Sequence, residues 1–318
     1  MSKPLRVAVV GVGSIGAVHA QVYAKLKDQA TLVAVYDLNE ARAKELAQRL
    51  RCRAVSTLRE LIGLADAASV AVPTSAHHAV GKTLLNAGIH LLMEKPMATS
   101  LAEADELLAI AKRNRLILQV GHIERFNAAI QTAQRYLTHP RFVEAHRLSA
   151  YPFRGTDVSV VLDVMIHDLD LVLALVRSQP VQIDAIGVPV LSPTEDIANA
   201  RLVFASGCVA NLTASRVSDD PIRRIRLFQE DCYLSIDYKQ QTVELARKVG
   251  KTIQRSAPSV TRKPPLDEEL VAFLHAVRNH RRPLVSGEEA REALALALAI
   301  EQSMRSGKSP IRSIVHGP

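Results

Sequence analysis

The chain has 318 residues, 48% of them hydrophobic and 23% charged, the balance of an ordinary soluble globular protein, and two domains are the default at this length. Its 40 basic and 32 acidic residues leave a net charge of +8, but the signs are interleaved without a basic tail, and aromatics are 4% with no Trp; this argues against a nucleic-acid platform and leaves a polyanionic small molecule as the better partner. No uncharged apolar run approaches the ~18 residues of a membrane span, Met1-Ser2-Lys3-Pro4 leads straight into the first strand, and Cys52, Cys208 and Cys232 lack CxxC spacing, so the expectation is a cytoplasmic protein with buried or idle thiols and no membrane contact.

The apolar run Leu5–Val10 is followed by Gly11-Val12-Gly13-Ser14-Ile15-Gly16. The first glycine lets a strand turn into a helix, the second lets backbone approach a pyrophosphate, and the third lets helix pack close on strand. A helix opening at Ser14 and Ile15 points free N–H groups and its positive dipole end at the phosphates. A second apolar run, 32–36, ends at Asp37, where a carboxylate accepts hydrogen bonds from an adenosine ribose diol. The same carboxylate would repel a 2′-phosphate by about 1 to 4 kcal/mol. Leu38 follows with no adjacent arginine, while Arg42, one helical turn on, either stacks on the adenine or is simply solvated. The expected cofactor is therefore NAD rather than NADP.

Up to about residue 120, strands near 5–10, 31–36, 68–72, 89–93 and 116–120 alternate with helices near 14–27, 39–50, 75–87 and 100–113, the pattern of βαβ units and a parallel sheet. Gly88 ends one helix, and Ser100 with Glu103 opens the next as a capping box. Beyond 121 the pattern changes to a helix near 124–137, a strand near 142–149 and a long apolar helix over 158–177. Strands near 181–188, 197–205, 208–215, 222–229, 231–237 and 241–247 follow, then a polar Pro-containing loop over 249–265 and closing helices near 267–280 and 287–304. The expected fold is α/β: an N-terminal doubly wound Rossmann domain, 1–121, and a C-terminal α+β domain, 122–318, with a largely antiparallel open sheet.

Glu94-Lys95-Pro96 falls at the C-terminal end of the fifth parallel strand, where ligands of open α/β sheets bind. The 158–177 helix carries Asp163, His167 and Asp170 at i, i+4 and i+7, on one face of an otherwise apolar element, with Asp168 close by. Burying such groups costs several kcal/mol unless they are partnered, which marks either a satisfied core pair or an active-site wall, the second being the better reading. No further His or Cys has spacing for a metal, and none is expected.

Together GVGSIG, Asp37, Val72-Pro73-Thr74 with His77-His78, Glu94-Lys95-Pro96 and Asp163-x-x-x-His167 resemble the glucose–fructose oxidoreductase/inositol dehydrogenase/MocA family over essentially the whole chain. The resemblance implies cofactor contacts from Pro73, Thr74, His78, Glu94, Lys95 and His122 besides those of the glycine loop. Two departures stand out: Thr74 replaces the Asn of many members, and 158–162 lacks the usual glycines. The segments 121–127, 154–157 and 166–170 resemble the nucleotide-sugar branch, which acts on UDP-N-acetylglucosamine in lipid A biosynthesis and forms a 3-keto sugar that an aminotransferase then takes. That resemblance implies substrate contacts from Arg125 and Asn127, and a homodimer or homotetramer through the second domain's sheet. A diphosphate also suits Arg154, Arg216, Arg223 and Arg224, near strand or loop ends.

Oxidation of a secondary alcohol needs a base for the hydroxyl proton. Histidine titrates near neutrality, whereas a lysine needs about 4 kcal/mol of perturbation to do so. The expected arrangement has His167 as base, Lys95 hydrogen-bonded to the same oxygen, Asp163 holding substrate or catalytic groups in place and Glu94 steadying the cofactor side; the reverse assignment, with Lys95 as base, stays open. The rival readings are a free-sugar or inositol dehydrogenase and a non-catalytic NAD-binding regulator.

Overall fold

Short strands built from Val, Ala and Leu, buried on both faces, require helices on both sides. The first half of the chain supplies them. A computed structural model describes residues 3–151 and 158–306; the expected Arg154 contact lies outside them. The described chain falls into two units, one comprising residues up to Ile123 with Pro264–Arg291, the other Glu124–Lys263 with residues from Glu292 onward.

In the first unit, strands β1 (Leu5–Val10), β2 (Ala30–Tyr36), β3 (Arg53–Ala54), β4 (Ala67–Val70), β5 (His90–Met93) and β6 (Leu118–Val120) form a parallel sheet in the order β3-β2-β1-β4-β5-β6. Helices α1 (Ser14–Lys25), α2 (Glu40–Leu50), α3 (Thr74–Asn86) and α4 (Leu101–Arg113) connect the strands. The order reverses between β1 and β4, so the C-terminal ends of β1, β4 and β5 lie side by side at the switch point where such sheets bind ligands. The Ser100 hydroxyl caps α4 by accepting from the Glu103 N–H, while the Glu103 carboxylate reaches back to the Thr99 N–H. Helix α7 (Pro265–Asn279), which its sequence position assigns to the second domain, joins this unit instead. Leu270, Phe273, Leu274 and Val277 share a core with Val22 and Tyr23 of α1, an apolar face that periodicity reveals without naming its partner.

The second unit is an eight-stranded sheet ordered β14-β13-β12-β11-β7-β10-β9-β8. Its strands are β7 (Phe142–Leu148), β8 (Pro180–Val188), β9 (Ile197–Phe204), β10 (Val209–Ser215), β11 (Ile222–Phe228), β12 (Cys232–Asp237), β13 (Thr242–Val249) and β14 (Thr252–Ser256). All neighbours are antiparallel except β7 and β10. Val143, Ala145, Leu212, Ile225 and Leu227 point to one face, under α6 (Ile166–Val176) and the later turns of α8 (Gly287–Ser306). The alternate residues Glu144, His146, Arg224 and Arg226 point to the other face, away from the helices that the described residues of this unit pack on the core side. Strand β14 occupies the stretch expected as a loop; all five of its residues are exposed, so no apolar alternation announces it. The helix expected over 124–137 is a 3₁₀ turn, Ile123–Phe126, followed by α5 (Ala128–Gln134), because Asn127 caps the new helix through Ala129 N.

Arg216 is fully buried and serves the fold. Its Nε donates to Asp196 Oδ1 at 2.8 Å, Nη1 to the Val158 carbonyl at 2.9 Å and Nη2 to Thr194 Oγ1 at 3.2 Å. Asp196 Oδ2 also accepts from the N–H groups of Val190, Leu191 and Ser192. The expected diphosphate contact at Arg216 is therefore corrected: its guanidinium is consumed inside the unit. Burial opposes the Asp196 charge, yet the Ser192 N–H and Arg216 outweigh it and hold the carboxyl well below the usual range. This stabilisation is present above about pH 4 and is lost as pH falls through the folded value. Asp196→Asn leaves Arg216 as a buried unpaired cation and should lower the unfolding free energy by about 3–5 kcal/mol in urea titrations at pH 7, with a smaller difference at pH 3.

Candidate active site

The three glycines after β1 answer to three different constraints. Gly11 has φ +82°, and a Cβ there would lie 2.6 Å from the Ala71 carbonyl beyond β4. A Cβ on Gly16 would collide with the Gly11 carbonyl, so the first turn of α1 rests directly on the loop. At Gly13 a Cβ would meet nothing within 4 Å. The protein itself does not need that glycine; the open space over the uncapped N-terminus of α1, which has no acidic residue in its first turn, suits a pyrophosphate. The residues present fit NAD: the N–H groups at Ser14 and Ile15 would hold the phosphates and Asp37 the ribose. Asp37 accepts from Val12 N at 2.7 Å and Asn39 N at 2.8 Å, tying the glycine loop to the end of β2. Arg42 stands 3.8 Å from the Asp37 carboxylate, and Leu38 is 90% exposed beside it.

Lys95 follows β5, and its peptide bond to Pro96 is cis. Glu94 turns back under the strand ends. Its Oε1 lies 3.1 Å from Nε2 of His19, a buried residue of α1, and a Cβ on Gly121 would come within 3.0 Å of its Oε2. Burial opposes the Glu94 charge, but His19 and Lys95 together hold its carboxyl below the ordinary range. His19 escaped the sequence reading, although a lone histidine on the apolar face of α1 was its available signal. The adjacent histidines of α3 also divide differently from expectation. His78 Nε2 lies 2.7 Å from Glu106 of α4, which Lys82 also pairs at 2.7 Å. His78, expected as a cofactor contact, stands in this cluster with Glu106 and Lys82. It is His77, buried, that lies at the strand ends, while Pro73 and Thr74 open α3 there and His122 is buried just past β6.

In the second unit Asp163 lies in a π turn, Val161–Met165, and His167 in the first turn of α6. Both are half-buried. The π turn inserts a residue into the helical register, the kind of irregularity that recurs at functional sites. The expected single face of Asp163, His167 and Asp170 therefore splits, and Asp170, with its neighbour Asp168, turns fully inward. Asp168 receives a two-pronged contact from Arg147, with Nε at 2.9 Å and Nη2 at 3.0 Å, while Arg147 Nη1 reaches Glu124 at 3.0 Å. The guanidinium also lies 5.1 Å from the Tyr238 ring centroid. Burial works against the Arg147 charge, and Asp168 and Glu124 more than offset it, raising its pKa. Arg147 was missed because a single arginine in an alternating strand reads as an outward residue.

Arg125 lies 3.4 Å from Asp170 in the buried interior, and Asn127 is consumed by Ala129 N, Glu124 and the Tyr238 carbonyl. Direct substrate contact from Asn127 is corrected accordingly. Arg224 pairs with Asp237 at 3.7 Å on the face of the sheet opposite α6, so it does not share a ligand with His167 of its own chain. Arg223, its neighbour, points to the α6 side and is exposed, opposite Arg147 in register. Burial pushes the thiols of Cys52 and Cys208 up to about 11, away from reactivity. Among the described residues, no group of three His, Cys, Asp or Glu side chains is placed to hold a metal, and no helix is long and apolar enough to cross a membrane.

Residues 5–122 match the Gfo/Idh/MocA description of an oxidoreductase family with an NAD-binding Rossmann fold, and residues 128–234 match the GFO/IDH/MocA C-terminal domain. The chain is 38% identical to UDP-N-acetylglucosamine 3-dehydrogenase of Acidithiobacillus ferrooxidans over 95% of its own length and 98% of that protein's. It is 27% identical to myo-inositol 2-dehydrogenase of Thermotoga maritima over 96% and 98% of the two chains. A solved structure of the Acidithiobacillus enzyme superposes with a TM-score of 0.91, covering 96% of this chain and 99% of that one.

The different roles of the glycines are separable by experiment. Gly13→Ala should change unfolding free energy by no more than about 1 kcal/mol yet weaken NADH binding, followed by cofactor fluorescence, about tenfold or more. Gly16→Ala should lose stability even without cofactor, because its Cβ meets the Gly11 carbonyl.

Proposed function

Because the chain belongs to the Gfo/Idh/MocA family of NAD-binding oxidoreductases, we propose that it oxidises one secondary hydroxyl of a nucleotide sugar, taking UDP-N-acetylglucosamine to its 3-keto form. The observation that carries the substrate is the 38% identity, over nearly the full length of both chains, to an enzyme of that name. The inositol reading has a relative of similar coverage but only 27% identity, and stands second.

When bound, NAD supplies the two-electron acceptor for the carbinol carbon. The protein's own groups handle the proton and the substrate. His167 accepts the hydroxyl proton, and Lys95 hydrogen-bonds the oxygen as negative charge develops on it. Asp163, one turn before His167, orients substrate and base. In the first unit, His19 and Gly121 keep Glu94 folded beside Lys95, which steadies the nicotinamide side. Asp37 selects NAD by repelling a 2′-phosphate. Arg223, exposed on the α6 side of the sheet, is the strand-end arginine best placed for a diphosphate.

The sheet face bearing Glu144, His146, Arg224 and Arg226 is the surface through which two copies would associate as a homodimer or homotetramer. The reaction belongs to the cytoplasm, in lipid A synthesis, with an aminotransferase consuming the ketone.

Purified protein with NAD and UDP-N-acetylglucosamine, coupled to a ketone trap, should produce reduced cofactor by absorbance, while free N-acetylglucosamine and myo-inositol should not. Turnover with myo-inositol alone would overturn the substrate. His167→Asn and Lys95→Ala should each lower kcat by about 10²–10⁴-fold. If His167→Asn keeps near-normal turnover while Lys95→Ala abolishes it, the base is Lys95.

A further inference from the structure

His77 and His78 are neighbours on α3, and only His78 faces the surface pair Glu106 and Lys82. The His77 ring is 1% exposed and lies between two backbone carbonyls, with Nδ1 2.8 Å from the Pro96 oxygen and Nε2 2.9 Å from the Val72 oxygen. Val72 belongs to the loop that leaves β4 and leads into Pro73 and Thr74. Pro96 belongs to the loop that leaves β5 and carries Lys95. One imidazole therefore spans the two loops at the switch point of the sheet, where the sugar-oxidation reading places the nicotinamide end of the cofactor.

We propose that His77 is a positioning residue for Lys95: by donating its Nδ1–H to the Pro96 carbonyl, it fixes the peptide next to Lys95 and thereby the place from which the ammonium group works. Position matters here because a displacement of about 1 Å in an acid–base group costs turnover on the order of 10²-fold. The inference rests on the role given to Lys95 above. It does not depend on which sugar is oxidised.

The charges facing His77 come from the β5 loop, Glu94 and Lys95, and Glu94 is in turn held by His19. Burial is the largest influence and draws the imidazole below its ordinary value; the two carbonyls and Glu94 push back, and Lys95 adds to the lowering. A neutral ring has one N–H, so near neutral pH the two carbonyls compete for a single donor. The proposal assigns that donor to Pro96.

Two conservative variants separate the contacts. Asparagine places its amide nitrogen near the position of Nδ1, and glutamine near that of Nε2. His77→Asn therefore keeps the bond to Pro96 and His77→Gln keeps the bond to Val72. In the full-length protein, His77→Gln should lower kcat about 10- to 100-fold with KM for the sugar nearly unchanged, while His77→Asn should lose no more than a few-fold. A second readout needs no turnover. Acetylation of Lys95 by an N-hydroxysuccinimide ester, followed against pH by peptide mass spectrometry, should shift its midpoint in His77→Gln and stay near wild type in His77→Asn. Should neither variant fold, ¹⁵N chemical shifts of the His77 ring in the wild-type protein read the same point, with the proton expected on Nδ1.

Equal behaviour of the two variants, retention by glutamine rather than asparagine, or a proton on Nε2 with bare Nδ1 would each overturn the assignment. A shifted Lys95 midpoint in His77→Gln, together with no oxidation of any sugar by wild type, would leave His77 in its role and remove the substrate proposal instead.

Discussion

Backbone lying on backbone at the start of α1 is the contact on which the first unit depends. Gly16 stacks against the Gly11 carbonyl, and Gly11 in turn lies against Ala71 and Val72 at the end of β4. No side chain fits between them, so the helix begins at one place relative to the strand ends. From that placement the rest follows. The Val12 N–H meets Asp37 at the end of β2, and His19, one turn and a half into α1, meets Glu94 at the end of β5. A single segment thus ties together the three strand ends that a dinucleotide would cross. Gly13, with free space where a Cβ would project, is left for the ligand.

The second unit solves a different problem, that of placing charge inside an apolar core. Two buried arginines there are met by opposite charges in good geometry: Arg147 by Asp168 and Glu124, and Arg216 by Asp196. Desolvating such ions costs several kcal/mol apiece, and pairing with full hydrogen bonding offsets it. These clusters hold the helix that carries Asp163 and His167. Arg147 grips the residue after His167, and Arg216 holds the carbonyl of Val158 just before the helical segment begins. The π turn between them lets the same helix keep Asp163 and His167 half-open while Asp168 and Asp170 face inward.

The residues whose roles differ from expectation share a cause. Sequence spacing identifies which side chains carry useful chemistry but not what they touch. Arg216 and Asn127 have the chemistry of ligand-binding groups, and both are consumed by neighbours remote in the chain, Asp196 and Tyr238. His77 and His78 are indistinguishable as adjacent letters, and a 100° step around α3 sends one to the strand ends and the other to Glu106. Arg223 and Arg224 are likewise separated by the two-residue alternation of β11, a register visible only once Ile225 and Leu227 are known to face the core.

By itself the amino-acid sequence determined much that local geometry governs: the strand–glycine–helix turn, the carboxylate at the end of β2, the parallel αβ alternation, the lysine at the end of β5 and the presence of Asp163 and His167 on one helical segment. Each depends on residues within one or two elements, whose periodicity and special backbone needs are written in consecutive letters. Only the tertiary structure decided what depends on contact across long separations. It gave α7 to the first core, made β14 a strand by pairing it with β13, and turned Arg147, Arg216 and Asn127 inward. It also set His19 against Glu94 and His77 against two strand-end carbonyls. A buried polar group is settled by whichever partner the fold brings within about 3 Å of it, and that partner leaves no trace in the neighbouring sequence.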